Sequence, residues 1–293
     1  MIVSKIKLKF IIFVLIFRVL LEISYIYYIA PVHGYIGLNY NLNIIKLLES
    51  YALMFILLFI IDAIPKRPSD LIVTGIFFYF LVIPSLSFYG MNDQSRVFTY
   101  LAVLSFLTVF YVRKIPLYFK YQIFVKKSHY IGIFIAFIFV ILTAVSMIAN
   151  NGLSFFNLNL WSVYEYREDA SEAIGSGIMG YINIWTFKVF NITLISWFLY
   201  KRSIMGVILV LIVQLLFFGI SNHKSVLFFP FLVLLVYWAF KNNQKNGLLL
   251  LLNVLLGSVI MAFIVDYALD INVATTLITR RIFYVPALMN YTF

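Results

Sequence analysis

The 293-residue chain has no cysteine, three histidines and eleven acidic residues. Without cysteine there is no disulfide and no thiolate metal site, and the redox compartment leaves no mark on the sequence. The scattered histidines and the lack of a His-Glu-x-x-His pattern argue against a metal centre. Asp266 and Asp270, one turn apart, are the one carboxylate spacing that could suit a cation. Phosphate-binding loops and dinucleotide fingerprints are missing too, so no cofactor is expected and coupling to ATP would need a partner.

Charge is scarce: charged residues are 11% of the chain, against about 25% in ordinary soluble domains. Hydrophobic residues are 64%, and they fall into nine runs: roughly 10–30, 47–64, 71–89, 97–112, 130–149, 178–200, 204–220, 225–240 and 248–267. About 20 apolar residues cross the ~30 Å hydrocarbon layer as a helix. A membrane β-barrel would instead alternate polarity over strands of about ten residues. The sequence therefore predicts an all-α polytopic transmembrane bundle of about nine helices, forming a single integral membrane domain over 1–293. The basic start, MIVSKIKLKF, is similar to a signal peptide. Its apolar run continues to about Ala30 without a small-x-small cleavage site, which reads as a retained first helix.

The net charge of +11 could suggest nucleic acid, but its distribution points elsewhere. Fourteen of the 22 basic residues fall on one set of alternate connections: Lys5, Lys7, Lys9; Lys66, Arg67; the group from Arg113 to Lys127; Lys201, Arg202; and Lys241, Lys245. Only six fall on the other set. The positive-inside rule then places the N-terminus in the cytoplasm and leaves the segment after the ninth run outside. The basic excess is topological, and no nucleic-acid partner is expected. Residues 113–129, which mix basic and aromatic side chains, read as an interfacial segment held by anionic head groups.

Outside lies the longest polar interruption, 150–177, with Glu165, Glu168, Asp169 and Glu172 around Arg167. The turn GISNHKS, with His223 and Lys224, and the pair Arg280–Arg281 share that side. Arginine offers a planar fork of donors to phosphate oxygens and lysine a compact charge, so this group suits an anionic ligand. Each also has a plainer role: Lys224 can snorkel, His223 can cap a helix, and Arg167 can pair with Glu165 or Glu168. Within the membrane, Arg18 and Glu22 sit at i and i+4 and can pair on their own helix. Lys188, about 15 Å into its run, is expected to face the bundle interior with Glu22, Glu49, Asp62 or Asp266 as partner.

At VYEYREDASE, FGISNHKS and RRIFYVPALMNY the chain resembles the bacterial O-antigen polymerase family, integral-membrane polymerases of oligosaccharide repeat units. The matching positions are Tyr164, Glu165, Arg167 and Glu168; Gly219, His223, Lys224 and Ser225; and Arg280, Arg281, Phe283, Val285, Pro286 and Ala287, within about residues 164–291. The resemblance implies a substrate, undecaprenyl-pyrophosphate-linked oligosaccharide, and a location, the outer face of a bacterial inner membrane. It also implies a chain-length regulator and a flippase as partners. Arg280, Arg281 and Lys224, then Arg167, would bind the pyrophosphate and glycan, while Glu165, Glu168 or His223 would be the catalytic base. Family members continue into further helices, so the resemblance implies a chain that stops short at Phe293. The alternatives are an O-antigen ligase and a transporter or flippase for lipid-linked saccharides.

Overall fold

The computed structural model describes residues 2–115, 128–159, 166, 175, 177–241 and 246–292. Among them there is no strand beyond an isolated bridge between Asn41 and Asn92. Ten helical stretches follow in order: α1 (Lys5–Ile36), α2 (Ile44–Ile60), α3 (68–91), α4 (Arg96–Val112), α5 (Ser128–Ala149), α6 (Gly177–Tyr200), α7 (Ile204–Ser221), α8 (Lys224–Lys241), α9 (Gly247–Leu269) and α10 (273–292). The nine apolar runs coincide with α1 to α9. Six of these, α1 and α5 to α9, are long and apolar enough to cross a membrane, and α4 is a shorter apolar helix. The protein is thus an all-α, multi-pass membrane protein.

The chain divides into two compact units, one of residues 1–118 and 239–293 and the other of residues 119–238. In the first, Phe10, Val14, Phe17, Leu21 and Tyr25 recur at steps of three and four, and all are buried. That is the period of one helix face, and it forms the spine of the core. Lipid tails are as apolar as leucine, so such a face gains little from leaving the membrane; close packing and hydrogen bonds must hold it. Gly90 shows the closeness: a Cβ there would lie 2.7 Å from the Leu47 Cα, so only glycine lets α3 approach α2.

The helix ends of this unit sort by charge. The Lys7 Nζ donates to the Phe59 carbonyl at 2.8 Å, setting the start of α1 beside the end of α2. Asp70 accepts from the backbone N–H groups of Lys66 (2.9 Å) and Arg67 (3.0 Å) and pairs with Arg113 at 2.7 Å. It thereby caps α3 and ties it to the end of α4. The opposite end is knitted by Asn92, whose Nδ2 donates to the Tyr25 hydroxyl and to the carbonyls of Gly37 and Asn39. Lys46 pairs there with Asp93 at 2.7 Å. The Lys5–Lys9, Lys66–Arg67 and Arg113 connections thus share an end. Residues 120, 126 and 127, and most of the 113–129 segment, lie outside the described residues.

In the second unit α5, α6, α7 and α8 pack through Phe187, Leu194, Ile195, Phe217, Phe218 and Val226. A proline inside a helix removes one N–H and orphans the carbonyl four residues earlier. Pro230 does this to Val226, and the Gln214 Nε2 repairs it with a 2.7 Å hydrogen bond. The same amide donates to the Phe187 carbonyl at 3.2 Å, within the π-helical stretch Thr186–Phe190, and Gln214 accepts from Asn191. At one end Lys201 lies 4.8 Å from the Trp197 ring, which His129 meets at a tilt and Tyr130 edge-on.

Candidate functional site

The turn at residues 219–225 closes the second unit at the end away from Trp197. Helix α7 stops because Asn222 adopts the left-handed conformation, φ 52°, which asparagine tolerates better than most residues. Its Nδ2 donates to the carbonyls of Phe155 (3.2 Å) and Gly219 (3.3 Å), and the Asn157 N–H donates to Gly219 at 2.9 Å. A methyl at Gly219 would overlap the Phe156 ring, and one at Gly152 would meet the Met147 carbonyl oxygen at 2.5 Å. Two glycines thus let residues 152–157 close onto the turn. The start of the long polar segment is therefore held against the His223–Lys224 motif, the neighbourhood expected from topology. His223 and Lys224 follow, half-buried, at the head of α8. Glu165, Arg167 and Glu168 lie outside the described residues.

The second group belongs to the first unit, where the structure revises the sequence reading. The stretch beyond the ninth run, which hydropathy left without an element, forms the helix α10 and folds into the core. Phe283 meets the Phe17 ring edge-on at 5.3 Å, and Tyr284 packs on Tyr25 at 4.7 Å and shares a 3.1 Å hydrogen bond with Ser87. Polar residues masked the pattern: Thr275, Thr279, Phe283 and Ala287 are buried at steps of four. Asp266 starts the helix. Its two carboxylate oxygens accept from the N–H groups of Ala274 (2.8 Å) and Thr275 (2.7 Å). That bonding removes it as half of a cation pair with the exposed Asp270.

Arg281 is exposed, whereas Arg280 turns inward. The Arg280 Nη1 donates to the His33 Nδ1 at 3.1 Å, so that nitrogen carries no proton. The imidazole is then neutral, with its Nε2–H directed at the Thr276 hydroxyl at 3.1 Å. Sequence reasoning missed His33. The signal available was its rarity and its place before Gly34, at the end of the first apolar run. Arginine stays charged in any protein site, yet among the described residues no carboxylate lies within ion-pair distance of Arg280. Its Nε is buried without a hydrogen-bond partner. The site is a cation braced by a neutral ring, with donor capacity to spare. Further along α10, between α3, α4 and α10, runs an apolar slot of about 200 Å³ with Ser85, Thr99, Asn290 and Tyr291 among its walls.

The charges within the helices are arranged differently from Arg280. Arg18 is fully buried and fully engaged: its Nε donates to Glu22 at 2.8 Å, its Nη1 to the Ser50 carbonyl at 3.0 Å, and its Nη2 to the Ser50 hydroxyl. Its guanidinium also lies 3.7 Å from the Tyr51 ring, and the Tyr51 hydroxyl donates to Glu22 at 2.7 Å. The expected pair is therefore part of a closed structural network. Glu49 likewise accepts from Tyr89, Tyr100 and Arg96. Lys188 contradicts its expectation. It is exposed, with its Nζ 6.0 Å from the Phe229 ring. Glu22, Glu49 and Asp266 have the other partners just described, and Asp62 is exposed. The π-helical stretch around Lys188 shifts the phase of α6, which the regular 3.6-residue count does not anticipate.

No group of three or more histidine or acidic side chains suited to a metal occurs among the described residues. Comparison with protein-family models, curated proteins and solved structures returned no match.

Proposed function

We propose that the protein is a membrane glycosyltransferase that polymerises undecaprenyl-pyrophosphate-linked oligosaccharide units on the outer face of a bacterial inner membrane. The observation that carries this reading is Arg280: partly buried, braced by neutral His33, without a carboxylate partner among the described residues and with an unsatisfied Nε. Such a group suits the charge that develops on a departing pyrophosphate, and preorganised cations are the strongest means of stabilising it. In the reaction an acceptor hydroxyl attacks the anomeric carbon of the donor glycan. The carbon–oxygen bond to pyrophosphate breaks, the hydroxyl proton passes to a base, and undecaprenyl pyrophosphate leaves with the bonding electrons. The apolar slot beside α10 suits part of an isoprenoid chain.

The resemblance assigns the base to Glu165, Glu168 or His223 and further anion contacts to Arg281, Lys224 and Arg167. Nine crossings with the N-terminus in the cytoplasm, the arrangement read from the basic connections, would put these residues outside. A transporter for lipid-linked saccharides is the second reading, favoured by Lys188 exposed on a π-helical stretch within a candidate span.

Complementation separates the two. In a strain lacking its repeat-unit polymerase and supplied with the cognate unit, the unmodified chain should yield a ladder of polysaccharide lengths. Arg280→Ala and Lys224→Ala, tested singly, should each collapse it to one repeat. A single repeat from the unmodified chain at normal membrane levels would overturn the polymerase reading. Loss of surface glycan in Lys188→Ala, with the ladder intact in Arg280→Ala, would favour transport.

A further inference from the structure

At the basic end of the first unit, a groove of about 700 Å³ opens between the starts of α1 and α9. Two lysines one turn apart, Lys5 and Lys9, stand on its rim with the carboxamides of Asn246 and Asn253. Its floor is hydrocarbon, supplied by Ile6 and Phe13 from α1 and by Leu249 and Leu250 from α9. The three neighbouring lysines are not used alike. Lys7 points away and satisfies the last turn of α2 through the Phe59 carbonyl. Lys5 and Lys9 are exposed, and neither has an ion-pair partner among the described residues. A lysine that only snorkels needs no cavity, whereas these two line one together with Asn246 and Asn253.

We propose that this groove binds one anionic phospholipid, its phosphate between Lys5 and Lys9 and its acyl chains along Phe13, Leu249 and Leu250. The chemistry on the page selects that ligand. A phosphodiester bears one negative charge opposite two ammonium groups, and the Asn253 carboxamide offers N–H donors to its remaining oxygens. The two helices that supply the apolar floor are each long enough to cross a membrane. A free phosphate would therefore leave most of the groove empty, whereas acyl chains fill it. The 23-residue helix α9 starts at the same mouth and adds the positive end of its dipole. The site is separate from Arg280 and does not depend on the polymerase reading.

The test is native mass spectrometry of the full chain in detergent, titrated with phosphatidylglycerol or with phosphatidylcholine. The unmodified protein should retain one phosphatidylglycerol and discriminate against phosphatidylcholine. At roughly 1 kcal/mol per lysine, Lys5→Gln/Lys9→Gln should weaken retention about 30-fold. Lys201→Gln/Arg202→Gln, at the basic end of the other unit, should leave it unchanged. Equal retention of the two lipids, an unaffected double variant, or an equal loss in the Lys201/Arg202 control would overturn the proposal. Displacement of the lipid by millimolar inorganic phosphate would assign the groove to a soluble anion and overturn it too. Should the double variant fail to fold, Lys5→Gln alone carries the same comparison.

Discussion

The two units handle polar groups inside a membrane in opposite ways. The first buries charge: Arg18 and Asp266 are almost wholly enclosed, and Arg280 is partly so. Among its described residues the second buries only neutral polar groups, among them Asn183, Asn191, Gln214, Asn222, Thr143 and Thr186. Lys188, a mid-helix cation of that unit, is exposed instead. All four ion pairs seen among the described residues belong to the first unit. Neutral amides can mend helices broken by proline or by a π-turn, as Gln214 does. Charges cost far more to enclose, so each needs a reason. Arg18 has one in its closed network and Asp266 in its helix cap. Arg280 has neither, and this difference is why the proposed function rests on it.

Breaking the closed network should have the largest effect. Arg18→Met leaves Glu22 largely buried beside Tyr51 with no cation, which should cost about 3–5 kcal/mol. The double variant Arg18→Met/Glu22→Gln should recover most of that, because a neutral pair of similar volume needs no compensation. Thermal or denaturant unfolding in detergent measures both. If the single and double variants are equally unstable, the pair is not the source of stability.

Arg280 should behave in the opposite sense. Arg280→Gln should leave the unfolding midpoint within about 1 kcal/mol of the unmodified protein, or raise it, since a poorly satisfied charge disappears. Polymer length should nevertheless collapse. A loss of stability matching that of Arg18→Met would mean that Arg280 is structural too, and the distinction between the two arginines would fail.

In the neutral unit a smaller penalty is expected. Gln214→Leu strands the carbonyls of Val226 and Phe187 in an apolar interior, at about 1–2 kcal/mol. Adding Pro230→Ala returns an N–H to Val226 and should reduce that penalty. If Pro230→Ala fails to rescue Gln214→Leu, the proline-orphaned carbonyl is not what Gln214 serves.

Much of this arrangement could be read from residue order, and the exceptions share a cause. Long apolar runs marked α1 to α9, and Arg18 and Glu22 gave their pairing by spacing alone. Proximity of the 219–225 turn to the start of the polar segment followed from topology, though the reason for Gly152 and Gly219 needed coordinates. Where the reading failed, it failed on periodicity. Helix α10 carries Thr275, Thr279 and two arginines, so hydropathy hides a helix whose buried face is half polar. Lys188 was assigned an inward direction from cost alone, and it lies exposed within the π-helical stretch Thr186–Phe190. His33 became visible only once α10 brought Arg280 to it, some 250 residues away in sequence.

The smallest expected effect tests the rim of the charged unit rather than its interior. Lys46 and the Asn43 amide hold the Asp93 carboxyl below its ordinary range through direct hydrogen bonds. A depressed carboxylate pKa stabilises the fold above the unfolded value of about 3.9, and the contribution is lost as pH falls through the folded value. The pair is exposed and salt-screened, so the shift in midpoint should be slight and should shrink further in high salt. Unfolding of the unmodified chain and of Asp93→Asn, compared between pH 6 and pH 3, should show the unmodified protein losing its small advantage on acidification. An advantage that persists at pH 3 and in high salt would locate the stabilising contact elsewhere, in the Asn43 cap of α2 or the Asn92 contacts with Gly37 and Asn39 that close the same end.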